Sequence, residues 1–278
     1  MDFSKYLIVS DMDGTLLDKA SLLPPRNLEA LRRFVAGGGH FTVATGRPHV
    51  ILDVIPAPET LLTAPAILVN GAYLYDFRKR TALMEICIAE DVAAEMLSFA
   101  REECEGIPFR VATLDVAMRT ATPYGLMLHD MEIYTDKNVR VEPYENWPLH
   151  DWQKIVFRAE PAVLARVREK ATIRFGDRLD IFLTGNRLLE MQPKGSGKAA
   201  GIEKLRGLMG CEDLTVIACG DFENDIPMLK QADIAVCPAN AMDEVKAVCD
   251  LVLCHCDEGL IGDIVDAIEA GKILPKQK

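Results

Sequence analysis

Two aspartates separated by one residue, Asp11 and Asp13, follow an apolar run, YLIVS at Tyr6–Ser10, and precede Gly14. Far along the chain a second acidic stretch, Gly220-Asp221-Phe222-Glu223-Asn224-Asp225, follows another apolar run, TVIAC at Thr215–Cys219. Carboxylates at such places can attack phosphorus, move protons or hold a hard cation. Attack by an Asp11 carboxylate on a phosphate ester gives an acyl phosphate that water cleaves readily, so one hard step becomes two easier ones. Asp13 falls on the same side of an extended chain, because side chains alternate with period two. From there it can protonate a leaving oxygen and later take a proton from water. Gly14 lets the chain bend sharply out of a strand.

Two acidic groups facing a phosphate dianion repel it. Mg²⁺ is the expected remedy, since it takes oxygen ligands and bridges carboxylates to phosphate. Asp11 and Asp221 are the natural side-chain ligands, and a backbone carbonyl near Asp13 can add a third. Asp225 is expected either to anchor Lys198 or to hold a metal-bound water. Thr45 offers a hydroxyl and Lys198 a point charge to the phosphoryl oxygens. Asn224 can donate to phosphate or orient a neighbour. Lys194 lies four residues before Lys198 and competes for its role. Arg47 can steer an anionic group or make a structural ion pair.

The elements that must position these residues are legible as periodicity. Short apolar runs alternate with helical patterns at both ends of the chain, which predicts a parallel sheet covered by helices. Strands are expected at Tyr6–Ser10, His40–Thr45, Ala66–Asn70, Thr215–Cys219, Ile234–Cys237 and Asp250–Leu253. Helices are expected from Pro24 to the glycines at 37–39, and over Gly197–Met209, Asn224–Lys230, Met242–Ala247 and Gly259–Ala270. The texture between differs: a helix at Glu90–Glu103, strands at Pro108–Leu114 and Lys154–Arg158, a helix at Pro161–Ala171, and a hairpin of Leu179–Thr184 with Arg187–Met191 across Gly185-Asn186. This mixture predicts an α+β unit. The expected architecture is a Rossmann-like, three-layer α/β core with a parallel sheet, built from 1–83 and 191–278, with an α+β domain inserted at 84–190. Open parallel sheets carry their sites at the carboxyl ends of the strands, where Asp11, Asp13, Thr45, Gly46, Arg47 and the stretch from Gly220 to Asp225 fall, with Lys194 and Lys198 flanking the start of a helix.

Composition narrows the partners. The 278 residues are 49% hydrophobic and 26% charged, as in packed globular chains rather than disordered ones. With 31 Lys and Arg against 42 Asp and Glu, the net charge is −11, which repels nucleic acid and anionic membranes. The start, MDFSKYLIVSDMDG, lacks the form of a signal peptide, and no run approaches a membrane span. The eight cysteines are scattered, so they are expected as reduced thiols in a cytoplasmic protein.

DMDGTL, TGR at Thr45–Arg47, PKGSGKAAGI and GDFENDIPML, in that order and spacing, resemble the four motifs of the haloacid dehalogenase superfamily. The insertion, with VNGAYLY at Val69–Tyr75, resembles the Cof-type subgroup with a type IIB cap. The resemblance covers essentially the whole chain. It implies an Mg²⁺-dependent phosphatase acting on a sugar phosphate or similar small organic phosphate, with Asp11 as nucleophile, Asp13 as acid and base, and Lys198 as the motif-three lysine. It also implies phosphate contacts from the Met12 backbone, Thr45, Gly46 and Asn224. Asn70, in a good turn-forming Asn-Gly pair, becomes a candidate for touching substrate. A cap closing over the site would exclude water and choose the leaving group.

Other features read as structure. GSGK at Gly195–Lys198 fails as a P-loop, because Gln192 replaces the first glycine and Ala199 the magnesium-holding hydroxyl. Cys254-His255-Cys256 is too tightly spaced for a structural zinc loop and is expected to be a surface loop. His40, His129 and His150 are expected to be structural or solvent-facing, and Trp147 and Trp152 to fill the core of the insert. A phosphomutase on the same scaffold, or a phospho-aspartate signalling module, are the competing functions. Asp13 argues against the second, since an acid beside the nucleophile serves leaving-group chemistry.

Overall fold

The computed structural model describes residues 1–116, 118–121, 139–184, 187–210 and 213–275. His129, the Gly185-Asn186 turn, Cys211 and the basic tail at 276–278 lie outside the described residues. Along the chain come β1 (Tyr6–Ser10), α1 (Pro25–Ala36), β2 (His40–Val43), α2 (Pro58–Leu61), β3 (Ala66–Leu68), β4 (Tyr73–Asp76) and β5 (Thr81–Glu85). Next are α3 (Glu90–Glu103), β6 (Phe109–Thr113), β7 (Met118–Thr120), β8 (Val139–Val141), β9 (Trp152–Arg158), α4 (Pro161–Phe175), β10 (Leu179–Thr184) and β11 (Leu188–Pro193). The chain ends with α5 (Lys198–Met209), β12 (Thr215–Cys219), α6 (Ile226–Gln231), β13 (Ile234–Pro238), α7 (Asp243–Lys246), β14 (Leu251–Leu253) and α8 (Leu260–Glu269). These fall into two compact units, Met1–Met84 with Gly197–Lys278, and Glu85–Ser196.

The first unit is an α/β fold on a five-stranded sheet of order β14-β13-β12-β1-β2, in which every pairing is parallel. All five residues of β1 are buried, as are all five of β12, so both read as continuous apolar runs rather than alternating ones. Leu7, Val9, Val216 and Ala218 share one cluster with Ile202 and Leu205 of α5 and Met228 and Leu229 of α6. Each of these side chains apart from Ala218 contributes about 2 kcal/mol by leaving water. Register matters most for function. Tyr6 pairs with Thr215 and Ser10 with Cys219, so the tips of β1 and β12 end side by side.

Some elements differ from the sequence expectation. The strand expected through Asn70 stops at Leu68, because Val69 and Asn70 both turn left-handed, with φ of 48° and 52°. The helix expected at Asn224–Lys230 divides into a 3₁₀ turn over Glu223–Asp225 and then α6, whose first turn holds Pro227. β4 and β5, which no periodicity announced, join β3 in a small three-stranded sheet.

The second unit carries a six-stranded sheet of order β10-β11-β9-β6-β7-β8, antiparallel except between β7 and β8. Its core joins Phe99 of α3, Phe157 of β9 and Phe175 of α4 with Trp147 and Trp152, so both tryptophans are core residues. Helix α4 runs one turn past Ala171 because Phe175 belongs to that same buried face. Residues 191–196, expected in the first unit, lie in the second. Met191 is still in β11, paired with Ile155 of β9.

A buried ion pair spans this sheet: Lys154 Nζ lies 2.8 Å from Glu190 Oε2, and Thr184 donates to Oε1 at 2.9 Å. Burial pushes the Glu190 carboxyl up, but the Lys154 charge and these hydrogen bonds outweigh it, leaving a net lowering. The pair therefore stabilises above the unfolded carboxyl range and loses that contribution as pH falls through the lowered value. Lys154→Met removes the ammonium partner at 2.8 Å from a buried carboxylate and is expected to cost about 3–5 kcal/mol at pH 7 in urea unfolding. The gap to wild type should narrow toward pH 4, where that carboxylate takes up a proton; a gap independent of pH contradicts this.

Candidate active site

The parallel pairing of β1 and β12 continues one step beyond the strands, with the Asp11 N–H donating to the Cys219 carbonyl at 2.8 Å. This holds Asp11 next to the loop that begins at Gly220. The chain then turns tightly, with Leu16 N–H on the Asp11 carbonyl at 3.3 Å and Leu17 N–H on the Met12 carbonyl at 2.8 Å. Gly14 makes the turn at φ +82°, and a Cβ there would sit 2.6 Å from Asp221 Oδ2. The glycine is thus required twice, for its backbone angle and for the close approach of Asp221. Among the described residues, none accepts the Met12 N–H, which leaves a donor at the turn beside Asp11.

Lys198, the first residue of α5, is fully sequestered between two carboxylates. Its Nζ lies 2.5 Å from Asp11 Oδ1 and 2.6 Å from Asp225 Oδ1. The other Asp225 oxygen accepts from the N–H groups of Asp221 and Phe222 at 3.0 and 3.2 Å. Asp225 therefore fastens both the lysine and the loop carrying Asp221. Gly220 permits this, since a Cβ there would lie 2.4 Å from Asp225 Cβ. Lys194 is elsewhere: it reaches the Gly176 carbonyl at 2.8 Å and Asp180 at 3.4 Å, within the second unit.

Asp13 is not part of the group formed by the Asp11, Asp221 and Asp225 carboxylates. Arg47 holds it in a two-pronged pair, Nε to Oδ2 at 3.0 Å and Nη2 to Oδ1 at 2.5 Å. The Arg47 side chain is 5% exposed and that of Asp13 54%. Thr45 is buried, and its hydroxyl oxygen accepts the Arg47 N–H at 3.1 Å, so its own proton remains to donate. Gly46 lies between these two residues in the same loop. The Thr45 carbonyl takes the Asn70 N–H at 2.8 Å, which ties the left-handed turn at Asn70 to the same loop. Asn224 Nδ2 donates to Asn70 Oδ1 at 3.5 Å. Of the residues expected in the site, Asp11, Lys198, Asp221 and Asp225 form one cluster, and Asp13, Thr45, Arg47, Asn70 and Asn224 form a linked rim.

Electrostatics mark the cluster as short of positive charge. Burial drives the Asp11 carboxyl well above the usual range; Lys198 opposes this, and Asp225, Asp221 and Asp13 add to it. Asp221 is pushed up to about 7, first by burial and then by Asp225. Burial works against the Lys198 charge, yet its two carboxylate partners hold its pKa above the ordinary value. Oxygens of Asp11, Asp221 and Asp225 lie within 4.8 Å of one another. An all-carboxylate donor set with surplus negative charge fits a small hard divalent cation. Asp225 has both oxygens engaged, so Asp11 and Asp221 are the better ligands. Asp13, expected among the ligands, is outside the three-carboxylate group as a side chain.

Two supporting residues went unread in the sequence. Thr15 donates to Asp221 Oδ1 at 2.8 Å, and its place inside the DMDGT run was the available signal. Asn240 donates to the Gly14 carbonyl at 2.8 Å from the far end of the chain, where no pattern singles it out.

Comparison with known proteins places the chain in a family. A family model for haloacid dehalogenase-like hydrolases matches residues 8–264. The chain is 25% identical to the 5-amino-6-(5-phospho-D-ribitylamino)uracil phosphatase YwtE of Bacillus subtilis, over 95% of this chain and 98% of that one. It is 28% identical to the pyridoxal phosphate phosphatase YbhA of Escherichia coli, over 89% and 92%. It is also 27% identical, over 93% of its length, to the chloroplastic endoribonuclease YBEY of Arabidopsis thaliana, of which it spans 45%, about half. In fold it is similar to a haloacid dehalogenase-like hydrolase from Bacteroides thetaiotaomicron, with TM-score 0.78 at 23% identity over 95% and 99% of the two chains. A match from the first strand into the last helix shows that this chain belongs to the haloacid dehalogenase-like hydrolases.

Proposed function

We propose that the chain is a phosphatase that moves a phosphoryl group from a small phosphorylated metabolite to Asp11 and then to water. The observation that carries this reading is the meeting of Asp11, Lys198 and Asp221 at the tips of adjacent parallel strands. Two relatives similar over most of their length are named as phosphatases of small phosphorylated molecules, one a ribitylaminouracil phosphate and the other pyridoxal phosphate. Their substrates differ, so the shared chemistry is the part that supports the reading here.

In the first step an Asp11 carboxylate oxygen bonds to phosphorus while the ester oxygen leaves with a proton from Asp13. In the second, water bonds to phosphorus, its proton passes to Asp13, and the Asp11 carboxylate departs. Lys198 keeps Asp11 oriented and offsets charge on the phosphoryl oxygens. Thr45 donates its hydroxyl, and Met12, Gly46 and Asn224 supply further donors, as in the family pattern. Asp13 must leave its pair with Arg47 and gain a proton before the first step. Magnesium would be held by Asp11 and Asp221, where it supplies the positive charge that lets a phosphate dianion approach.

Turnover of p-nitrophenyl phosphate with Mg²⁺ is the test. Activity is expected to vanish with EDTA and to return when Mg²⁺ is added in excess. Equal activity in EDTA would refute the metal requirement, and no activity on any phosphate monoester would refute the reading as a whole.

A further inference from the structure

The tight turn after β14 holds a second constellation that the proposed chemistry does not use. We propose that His255, Cys256 and Asp257 form a binding site for a thiophilic divalent cation, with zinc as the representative. His255 Nδ1 lies 3.6 Å from Cys256 Sγ and 3.4 Å from an Asp257 oxygen, and Sγ lies 3.6 Å from the other Asp257 oxygen. With Zn–S of about 2.3 Å and Zn–N and Zn–O of about 2.0–2.1 Å, the edges of a tetrahedron come to about 3.3–3.6 Å. The histidine and thiol donors stand at that spacing, and an Asp257 oxygen lies within 4.8 Å of both. Within the loop expected at the surface Cys256 is buried, and Asp257 rather than Cys254 joins it and His255. Consecutive residues converge because the chain enters a 3₁₀ turn at Cys256–Glu258.

The imidazole presents a lone pair, the Cys256 thiol, pushed up to about 11 by burial and Asp257, must give up its proton, and the three groups are held in place. Nδ1 accepts the Asp257 N–H at 3.2 Å, so it carries a lone pair and the ring proton sits on Nε2. A cation would replace that long hydrogen bond. The Cys256 N–H is held by Asn240 Oδ1 at 3.0 Å, and an Asp257 oxygen accepts the Lys19 N–H at 3.0 Å. Supporting contacts of this kind orient metal ligands. The Lys19 ammonium lies 3.5 Å from Asp257 but is 74% exposed, so it can swing aside at little cost. The side chains of His255 and Asp257 are 24% and 41% exposed, which leaves a solvent-facing side for water as the fourth ligand. Binding would convert the Cys256 thiol to thiolate, with its proton released to water.

Cobalt titration of the reduced full-length chain, with excess Mg²⁺ to occupy the aspartate cluster, tests this without any turnover. A thiolate-to-cobalt charge-transfer band is expected, bleached by zinc, absent in Cys256→Ser and retained in Cys254→Ser. His255→Gln, at a partly exposed side chain, should weaken cobalt binding at least ~10-fold and keeps the test open if Cys256→Ser misfolds. No band in the wild type, or one that survives both Cys256→Ser and His255→Gln, overturns the proposal.

Discussion

Asp11→Asn is expected to lower p-nitrophenyl phosphate turnover by at least about four orders of magnitude while the fold remains intact. An amide cannot attack phosphorus usefully, and none of the described carboxylates at the site is placed to substitute for it. Asp225 has both oxygens engaged, Asp221 accepts from Thr15, and Asp13 is paired with Arg47. Stability should hold or rise. Three carboxylates crowd one ammonium here, and burial with its acidic neighbours drives the Asp11 carboxyl upward. Removing one negative charge relieves that repulsion, so a urea midpoint at or above wild type separates lost chemistry from lost structure. Activity within tenfold of wild type would remove Asp11 from the mechanism.

Lys198→Met is expected to damage both properties. It strands Asp11 and Asp225 without a cation in a site where the lysine is 2% and Asp225 1% exposed. Breaking a buried pair in this way costs about 3–5 kcal/mol. Loss of a charge aimed at the phosphoryl oxygens should cost a further ~100–1000-fold in turnover. The two effects can be parted. Adding Asp225→Asn should recover much of the stability, since the amide oxygen can still accept the N–H groups of Asp221 and Phe222. It should recover none of the activity. Wild-type stability in Lys198→Met would mean that the buried charges are balanced by something else.

How far the sequence reached depends on the range of the interactions involved. β1, β12 and α3 were legible to the residue because dense apolar runs or a clean helical period ended at strong turn residues. The convergence of Asp11 and Asp221 could be expected because both sit at strand tips, where backbone geometry dictates placement, whereas Lys198 was set apart from Lys194 only by the family resemblance. The pairing of Arg47 with Asp13 was open, because a side chain of that length reaches several partners and only packing selects one. Asp225 was ambiguous for the same reason, and its two oxygens are assigned only once the loop at Gly220 is seen to close on it. Asn240 could not be read at all: its partner Gly14 is a backbone carbonyl brought near by the sheet order, and side-chain type records nothing of that. The turn at Val69-Asn70 was missed as a strand end, because valine favours strands and rarely adopts positive φ.

The central claim, that phosphorus passes through Asp11, has a stereochemical consequence. Hydrolysis of an O-p-nitrophenyl phosphorothioate made chiral with two oxygen isotopes, in water of the third isotope, reports it directly through the configuration of the thiophosphate released. Two in-line displacements predict net retention at phosphorus. Net inversion would mean that water attacks the ester itself, with Asp11 only a bystander.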